Sequence, residues 1–349
     1  MPHPKMIDTW TQTGLVLSDL ASGNQTNKWY SRWNETALKA TAANSWFTGE
    51  QLQIAIKGIS KLLEFEPLNE WIQRYQPVSG DPKSVGVIMA GNIPLAGFHD
   101  ALCVLASGHR LIAKMSKDDP YLLPFILEIA ISFDPELQNR IVYADQLKNI
   151  DAIIATGSNN TSRYFEYYFS SIPHLFRKNR NSVAVLTGSE NEYDFLLLGR
   201  DIFTYYGLGC RNISKVFVPE GYRFDDFFAN LVDYSTVLDH TRYMNNFDYH
   251  QALYLLNSDT FLTNNFLILI ENTGLSSPVS VLFYESYKDQ KDLENKLKAI
   301  EQETQCVVSK NGPVLLGQAQ FPGIADYADK IDTMKFLEEL RMKNWEQRK

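Results

Sequence analysis

Residues 84–117 read SVGVIMAGNIPLAGFHDALCVLASGHRLIAKMSK, and their punctuation decides the fold. SVGVIMA is a short apolar run of the length and character of a buried strand. The loop Gly91-Asn-Ile-Pro94 ends it. LAGFHDALCVLASG then carries apolar residues at helical spacing and stops at Gly108, as a helix stops. HRLIAKMS is a second strand. Working outward, DPYLLPFILEIAISF (119–133) reads as a helix that Pro124 bends near its start. IVYADQ (141–146) and DAIIATGS (151–158) read as strands, SRYFEYYFSSI (162–172) as a helix and NSVAVLTG (181–188) as a strand. Strand and helix alternate over about a hundred residues, which predicts a parallel, doubly wound α/β sheet.

On the N-terminal side, residues 1–80 read as a helical flank. Thr48-Gly-Glu-Gln51 has the form of a capping box ahead of LQIAIKGISKLL, and Pro67 suits the first turn of the helix after it. On the C-terminal side, Ser189-Glu-Asn-Glu192 has the same form and opens the helical run EYDFLLLGRDIFTYY, which stops at Gly207-Leu-Gly209. Cys210 and the strand SKVFVP follow. A second α/β lobe is expected beyond, with strands in QALYLL (251–256), FLILIE, PVSVLFYE and TQCVVSK and a helix in DLENKLKAIEQE. The expected division is a helical flank and nucleotide-binding domain over 1–180, a catalytic domain over 181–315, and a loop and terminal helix over 316–349.

With 349 residues, the chain is long for one core, which agrees with two lobes. A net charge of -8 with no long Lys/Arg run argues against nucleic-acid or anionic-lipid partners. No apolar stretch approaches the ~20 residues that span a bilayer, and MPHPKMIDTWTQTG lacks the apolar segment of a secretory signal. Cys103, Cys210 and Cys306 are scattered and odd in number, which fits neither a disulfide framework nor a zinc knuckle. The expected setting is a reducing cytoplasm. His240 and His250 are ten apart and make no zinc motif, so no metal is expected.

Four features can carry chemistry. Cys210 sits between a glycine turn and a buried strand; a thiolate there can form and break thioesters, whereas a free cysteine is more often a small buried apolar group. Cys103 and Cys306 lie inside a helical face and a strand and fit the buried role. Asn92, in a strand-to-helix loop, can donate to an oxyanion or simply shape a turn. Thr156-Gly157-Ser158 ends a strand ahead of a helix, where phosphate binds well, though an ordinary helix cap looks the same. Lys114 ends the strand LIAK and can hold a ribose hydroxyl or stand solvated.

The order of these features, Asn92-Ile-Pro94, Lys114, Thr156-Gly157-Ser158 and Gly207-Leu-Gly209-Cys210, resembles the aldehyde dehydrogenase superfamily. Within it, GNIPLAGFHDALCVLASGHRLIAKMSKDDP and GLGCRNISKVFVP resemble the LuxC-type acyl-CoA reductases. The resemblance implies an α/β, aldehyde dehydrogenase-like fold with a doubly wound Rossmann-type cofactor lobe and a second α/β catalytic lobe. It implies Cys210 as nucleophile, Asn92 as oxyanion donor, and cofactor contacts at Lys114, Ser116, Lys117, Thr156, Gly157 and Ser158. A homodimer is a family expectation of the same kind.

The departures are informative. Aldehyde-oxidising members carry a Glu ahead of the lobe boundary that activates water; counting back from NSVAVL places Phe176 or Arg177 there. A thioester on Cys210 then lacks its usual base for hydrolysis, which favours reduction of an acyl-CoA to an aldehyde. A second family Glu, a ribose contact, is replaced in the stretch Thr273-Gly-Leu-Ser-Ser-Pro-Val279. Lys117 stands where an acid would repel a 2′-phosphate, which favours NADPH, with NADH the alternative; Asp118 and Asp119 weigh the other way. Phe203, Tyr205 and Tyr206 suit core packing better than an acyl tunnel. The rival readings are aldehyde oxidation or acyl-phosphate reduction on the same fold, and a non-catalytic nucleotide-binding or interaction protein.

Overall fold

The computed structural model describes residues 4–75, 80–157, 159–178 and 180–342. The chain divides into two compact units, residues 1–179 with 322–349 and residues 180–321.

The first unit opens on helices α1 (Pro4–Ala21), α2 (Tyr30–Ala43), α3 (Gly49–Leu62) and α4 (Phe65–Gln73). The Thr48 hydroxyl accepts the Gln51 N–H and starts α3, whose Leu52, Ala55, Ile56 and Ile59 recur at helical spacing and are buried. Trp10 of α1 meets Phe98 edge to face. The alternation follows: β1 (Ser84–Ile88), α5 (Phe98–Ala106), β2 (Arg110–Lys114), α6 (Leu122–Phe133), β3 (Ile141–Tyr143), β4 (Ala152–Thr156), α7 (Asn159–Phe169) and β5 (His174–Arg177). The strands are all parallel, in the order β3-β2-β1-β4-β5. The interiors of β1 and β4 are buried residue after residue, as in a parallel sheet with both faces covered. Pro124 is the third residue of α6, where its missing N–H has no helical acceptor to lose, and the helix runs on to Phe133. The edge strand β5 has no counterpart in the sequence reading, because His174-Leu-Phe-Arg177 mixes charge with apolar residues and is too short for a clear period.

The second unit holds β6 (Asn181–Val185), α8 (Glu192–Phe203), β7 (Ile213–Pro219), α9 (Asp225–Ala229), α10 (Thr241–Asn257), β8 (Phe261–Thr263), β9 (Ile268–Glu271), β10 (Val281–Tyr287), α11 (Gln290–Ala299), β11 (Thr304–Ser309) and β12 (Val314–Leu315). Its sheet runs β12-β11-β6-β7-β10-β9-β8, parallel except for β8. Two expectations are corrected. The box that opens α8 is Asn191 with Asp194, each side chain bonded to the other's N–H, while Glu190 turns back to the N–H groups of Thr187 and Gly188. QALYLL is the end of α10, not a strand: His240 caps that helix, Tyr243 and Phe247 bury its inner face, and Leu256 stands 84% exposed. Beyond Pro322 the chain returns to the first unit and ends in α12 (Thr333–Met342). Among the described residues no helix is long and apolar enough to cross a membrane.

Candidate active site

In the first sheet the chain winds outward from β1 through β2 and β3, then resumes on the other side of β1 with β4 and β5. The winding reverses between β1 and β4, and ligands of such sheets bind at the carboxyl ends of the strands beside that reversal. Ile88 ends β1 and pairs with Lys114 on one side and Ala155 on the other. Lys114 and Thr156 therefore finish their strands flanking the end of β1. Asn92 lies exposed on the loop four residues beyond Ile88.

That loop is pressed against the turn after β2. A Cβ on Gly91 would lie 2.4 Å from Ser116 Oγ and 2.8 Å from Ser116 Cβ, so the approach requires glycine. The Gly91 carbonyl accepts from Asn44 Nδ2 at 3.0 Å. Leu95 takes φ +61°, a left-handed backbone that costs a branched residue ~1–2 kcal/mol. Its N–H donates to Asp119 Oδ2 at 3.0 Å, and the Leu122 N–H donates to Oδ1 at 3.3 Å. Burial pushes the Asp119 carboxyl up to about 6 against the pull of these donors. Asp119 thus works inward, on the loop that carries Asn92; of the two acids weighed against a 2′-phosphate, only Asp118 is exposed. Ser116 Oγ accepts the Asp118 N–H at 3.2 Å, and Lys117 is exposed beside them. The Gly157 N–H donates to the Arg177 carbonyl at 3.4 Å. Ser158 lies outside the described residues.

In the second unit Cys210 is exposed, whereas Cys103 and Cys306 are buried. The chain reaches it through a left-handed stretch, with φ +54° at Tyr205, +56° at Tyr206 and +79° at Gly207. Asn212, 2% exposed, ties this stretch down. Its Oδ1 accepts the Gly209 N–H at 2.8 Å, and its Nδ2 donates to the carbonyls of Asp201, Ile202 and Thr204 at 2.6–3.2 Å. These are the carbonyls that the end of α8 leaves without helical partners. The Cys210 carbonyl accepts from Ser182 Oγ at 3.0 Å, and the same hydroxyl oxygen accepts the Cys306 N–H at 3.2 Å. Beside this turn, Asp201 takes the N–H groups of Gly317 and Ala319 on its two oxygens at 2.6 and 3.0 Å. Burial pushes its carboxyl up to about 7, against those donors and the charges of Arg200 and Arg211.

Phe176 and Arg177, where the sequence count expected a family Glu, lie at the end of β5. Arg177 is 2% exposed, its guanidinium held by both oxygens of Asp100 at 2.7 and 3.2 Å, by the Ala328 carbonyl and by Thr333 Oγ1. Phe176 stacks on His174 with ring centres 4.4 Å apart. Phe203, Tyr205 and Tyr206 are buried, with Phe203 stacked on Tyr234 and Tyr206 against His240. The carbonyl of Thr273, in the stretch where the resemblance expected a second Glu, accepts from Lys215 Nζ at 2.9 Å. Among the described residues no group of three or more His, Cys, Asp or Glu is arranged for a metal ion.

Sequence reasoning passed over Asn212, Ser182 and Asp201, and weighed Asp119 only as an acid beside the cofactor, not as the acceptor of the Leu95 N–H. The one available signal was an Asn two residues past the cysteine, a residue type that bonds nearby backbone.

No protein-family model matches the sequence, and no curated protein matches it either. Solved structures do. The aldehyde dehydrogenase of Mycobacterium tuberculosis, solved with NAD+, is 11% identical and superposes with a TM-score of 0.63 over 97% of this chain and 84% of that one. Aldehyde dehydrogenase 21 of Physcomitrella patens, solved with succinate, is 14% identical with a TM-score of 0.64 over 96% and 88%. An NADP-dependent enzyme of E. coli is 13% identical with a TM-score of 0.62 over 88% and 78%. The chain therefore has an α/β fold like that of the aldehyde dehydrogenases, with a parallel Rossmann-like sheet in one unit and a second sheet in the other.

Proposed function

We propose that this protein reduces an acyl-CoA thioester to an aldehyde with NADPH, through a covalent thioester on Cys210, as the LuxC-type resemblance implies. One observation carries the reading: of the three cysteines only Cys210 is exposed, and it stands on a turn whose flanking peptides are pinned by Asn212 and Ser182. The sulfur attacks the acyl carbonyl carbon, forming a C–S bond. The Cys210 N–H donates to the oxyanion, a contribution of roughly 3 kcal/mol per donor in such sites, and the resemblance assigns the second donor to the Asn92 amide. The C–S bond to CoA then breaks and the CoA thiol departs, leaving the acyl group on Cys210.

The carboxyl edge of the first sheet fits a dinucleotide in its chemistry: Lys114, Ser116, Lys117 and Thr156 offer cations and hydroxyls beside the sheet's reversal point. When bound there, the cofactor supplies the hydride that reduces the acyl group. The resemblance expects the hydrolytic base at the end of β5, and no base stands there: Phe176 carries none and the Arg177 guanidinium is enclosed by Asp100 and the returning tail, which favours reduction over hydrolysis.

The test is NADPH consumption by the purified protein with acyl-CoAs of increasing length, beside acyl phosphates, and NADP+ reduction with free aldehydes. Acyl-CoA is expected to be turned over, Cys210→Ala to abolish turnover, and Lys117→Glu to raise KM for NADPH about 10-fold or more with a smaller effect on NADH. Turnover of aldehyde or acyl phosphate alone, or wild-type rates in Cys210→Ala, would end the proposal.

A further inference from the structure

We infer that Asn212, seconded by Ser182, is a positioning residue that aims the main-chain N–H of Cys210 at the oxyanion formed when the sulfur attacks a carbonyl; the inference rests on Cys210 being the nucleophile. A peptide group is planar, and its C=O and N–H point in opposite directions. The peptide that carries the Cys210 N–H has the Gly209 carbonyl at its other end, and that carbonyl accepts the Asn212 N–H at 3.0 Å. The neighbouring peptide on the N-terminal side is held at the Gly209 N–H by Asn212 Oδ1. The neighbouring peptide on the C-terminal side is held at the Cys210 carbonyl by Ser182 Oγ of β6. Three consecutive peptide planes around the sulfur are thus fixed by hydrogen bonds, and the direction of the Cys210 N–H follows from them.

The anchor is rigid. Asn212 Nδ2 donates to the carbonyls of Asp201 and Ile202 in the last turn of α8 and to that of Thr204 just past it, so its orientation is tied to the helix as well as to the loop it steadies. Capping α8 needs only those Nδ2 bonds. The opposite end of the carboxamide, turned to Gly209, and the Asn212 N–H on the Gly209 carbonyl add nothing to the helix; they act on the cysteine turn. The left-handed backbone at Tyr205 and Tyr206 makes such an anchor necessary, since each costs ~1–2 kcal/mol and the turn would otherwise relax.

Two reagents separate this role from a merely structural one. In acetylation by p-nitrophenyl acetate, the Cys210 sulfur adds to the ester carbonyl, an oxyanion forms, and the C–O bond breaks to release p-nitrophenolate. Alkylation by iodoacetamide displaces iodide at a saturated carbon and forms no oxyanion. With modification of Cys210 followed by mass spectrometry below the melting midpoint of each variant, Asn212→Ala is expected to slow acetylation about 10- to 100-fold. Ser182→Ala, which removes the buried hydroxyl from the Cys210 carbonyl and from the Cys306 N–H, is expected to slow it about 2- to 10-fold. Alkylation is expected to stay within about twofold in both. Asn212→Asp keeps the acceptor for Gly209 and is expected to acetylate faster than Asn212→Ala. Wild-type acetylation in folded Asn212→Ala or Ser182→Ala, or equal slowing of both reactions, overturns the inference. A wild-type protein acetylated at Cys210 that leaves acyl-CoA unreduced overturns the proposed function and leaves this inference standing. A wild-type Cys210 inert to both reagents removes both.

Discussion

Asp100→Ala strands a buried cation, and the cost can be worked from the contacts. Arg177 is 2% exposed and Asp100 7%, and the pair is bidentate at 2.7 and 3.2 Å. Of the Arg177 acceptors that remain, the Ala328 carbonyl and the Thr333 hydroxyl are neutral, and the buried Asp329 carboxylate still offsets part of the charge. Removing one partner of a buried ion pair costs about 3–5 kcal/mol, chiefly because the other charge is left without compensation. In a unit of about two hundred residues each kcal/mol moves the melting midpoint by about 2–4 °C. Asp100→Ala is therefore expected to lower that midpoint by about 6–20 °C. The cost lies in the unpaired charge, so Arg177→Met in the same chain should restore most of the loss, leaving the double variant within about 2 kcal/mol of wild type. Differential scanning calorimetry on the wild type, both single variants and the double variant closes the cycle. Turnover of acyl-CoA well below the midpoint should be unaffected, because the proposal gives Arg177 no chemical step. A drop under ~1 kcal/mol in Asp100→Ala, or a double variant that loses the sum of the two singles, refutes the reasoning.

Gly91→Ala puts a methyl 2.4 Å from Ser116 Oγ and 3.0 Å from Asp118 Cβ, so the Asn92 loop and the Lys117 turn must part. Overpacking of this kind costs about 1–3 kcal/mol, and chemical denaturation together with a weakened NADPH affinity checks it. Asp201 supplies a pH test. Its folded carboxyl lies at about 7, above the ~3.9 of an unfolded chain. Between about pH 4 and 7 the folded state keeps a proton the unfolded state has lost, so this group's contribution to stability falls as pH rises through that window and is level on either side. Asp201→Asn removes the titration, and its melting curve against pH should lack that decline; parallel curves for wild type and variant would sink the assignment.

The first sheet was legible because its signals are local. A buried strand such as SVGVIMA is apolar residue after residue, and Gly108 marks the end of α5, whereas α8 stops at Phe203, four residues short of the glycine at 207. The misreadings arose where local character and tertiary role part. QALYLL has the density of a strand, yet its tyrosine and leucines extend a helix whose buried residues, Tyr243 and Phe247, lie upstream. The Ser189 box has the right letters, but Asn191 and Asp194 reproduce the spacing with one residue inside the helix register and win the bond. In the candidate site, Cys210, Asn92 and Lys114 could be singled out by type and order. Asp119 and Asp201 could not, because their role is to accept N–H groups from residues far away in sequence, 24 and more than 110 positions distant.

The two loops that carry the proposed reacting groups are built on one physical plan. Among the described residues, most non-glycine positions with left-handed backbone are Asn, Asp or Ser, the polar types that suit turns; Leu95, Tyr205, Tyr206 and Lys330 are the bulky exceptions. Leu95 follows Asn92 by three residues, and Tyr205 and Tyr206 precede Cys210 by five and four. In each loop a buried polar side chain holds the backbone: Asp119, from the turn after β2, on the Leu95 N–H, and Asn212, the last residue of the cysteine turn, across the carbonyl of Thr204 and the N–H of Gly209. A relaxed turn with glycine at these positions would need no such anchor but would also sample other conformations. The strained turn with its anchor has a single low-energy arrangement, which is what a donor or a nucleophile acting at fixed range requires. It follows that replacing Leu95 or Tyr206 by glycine relieves strain while loosening the reacting loop, so any backbone relief should come with slower acyl transfer rather than faster.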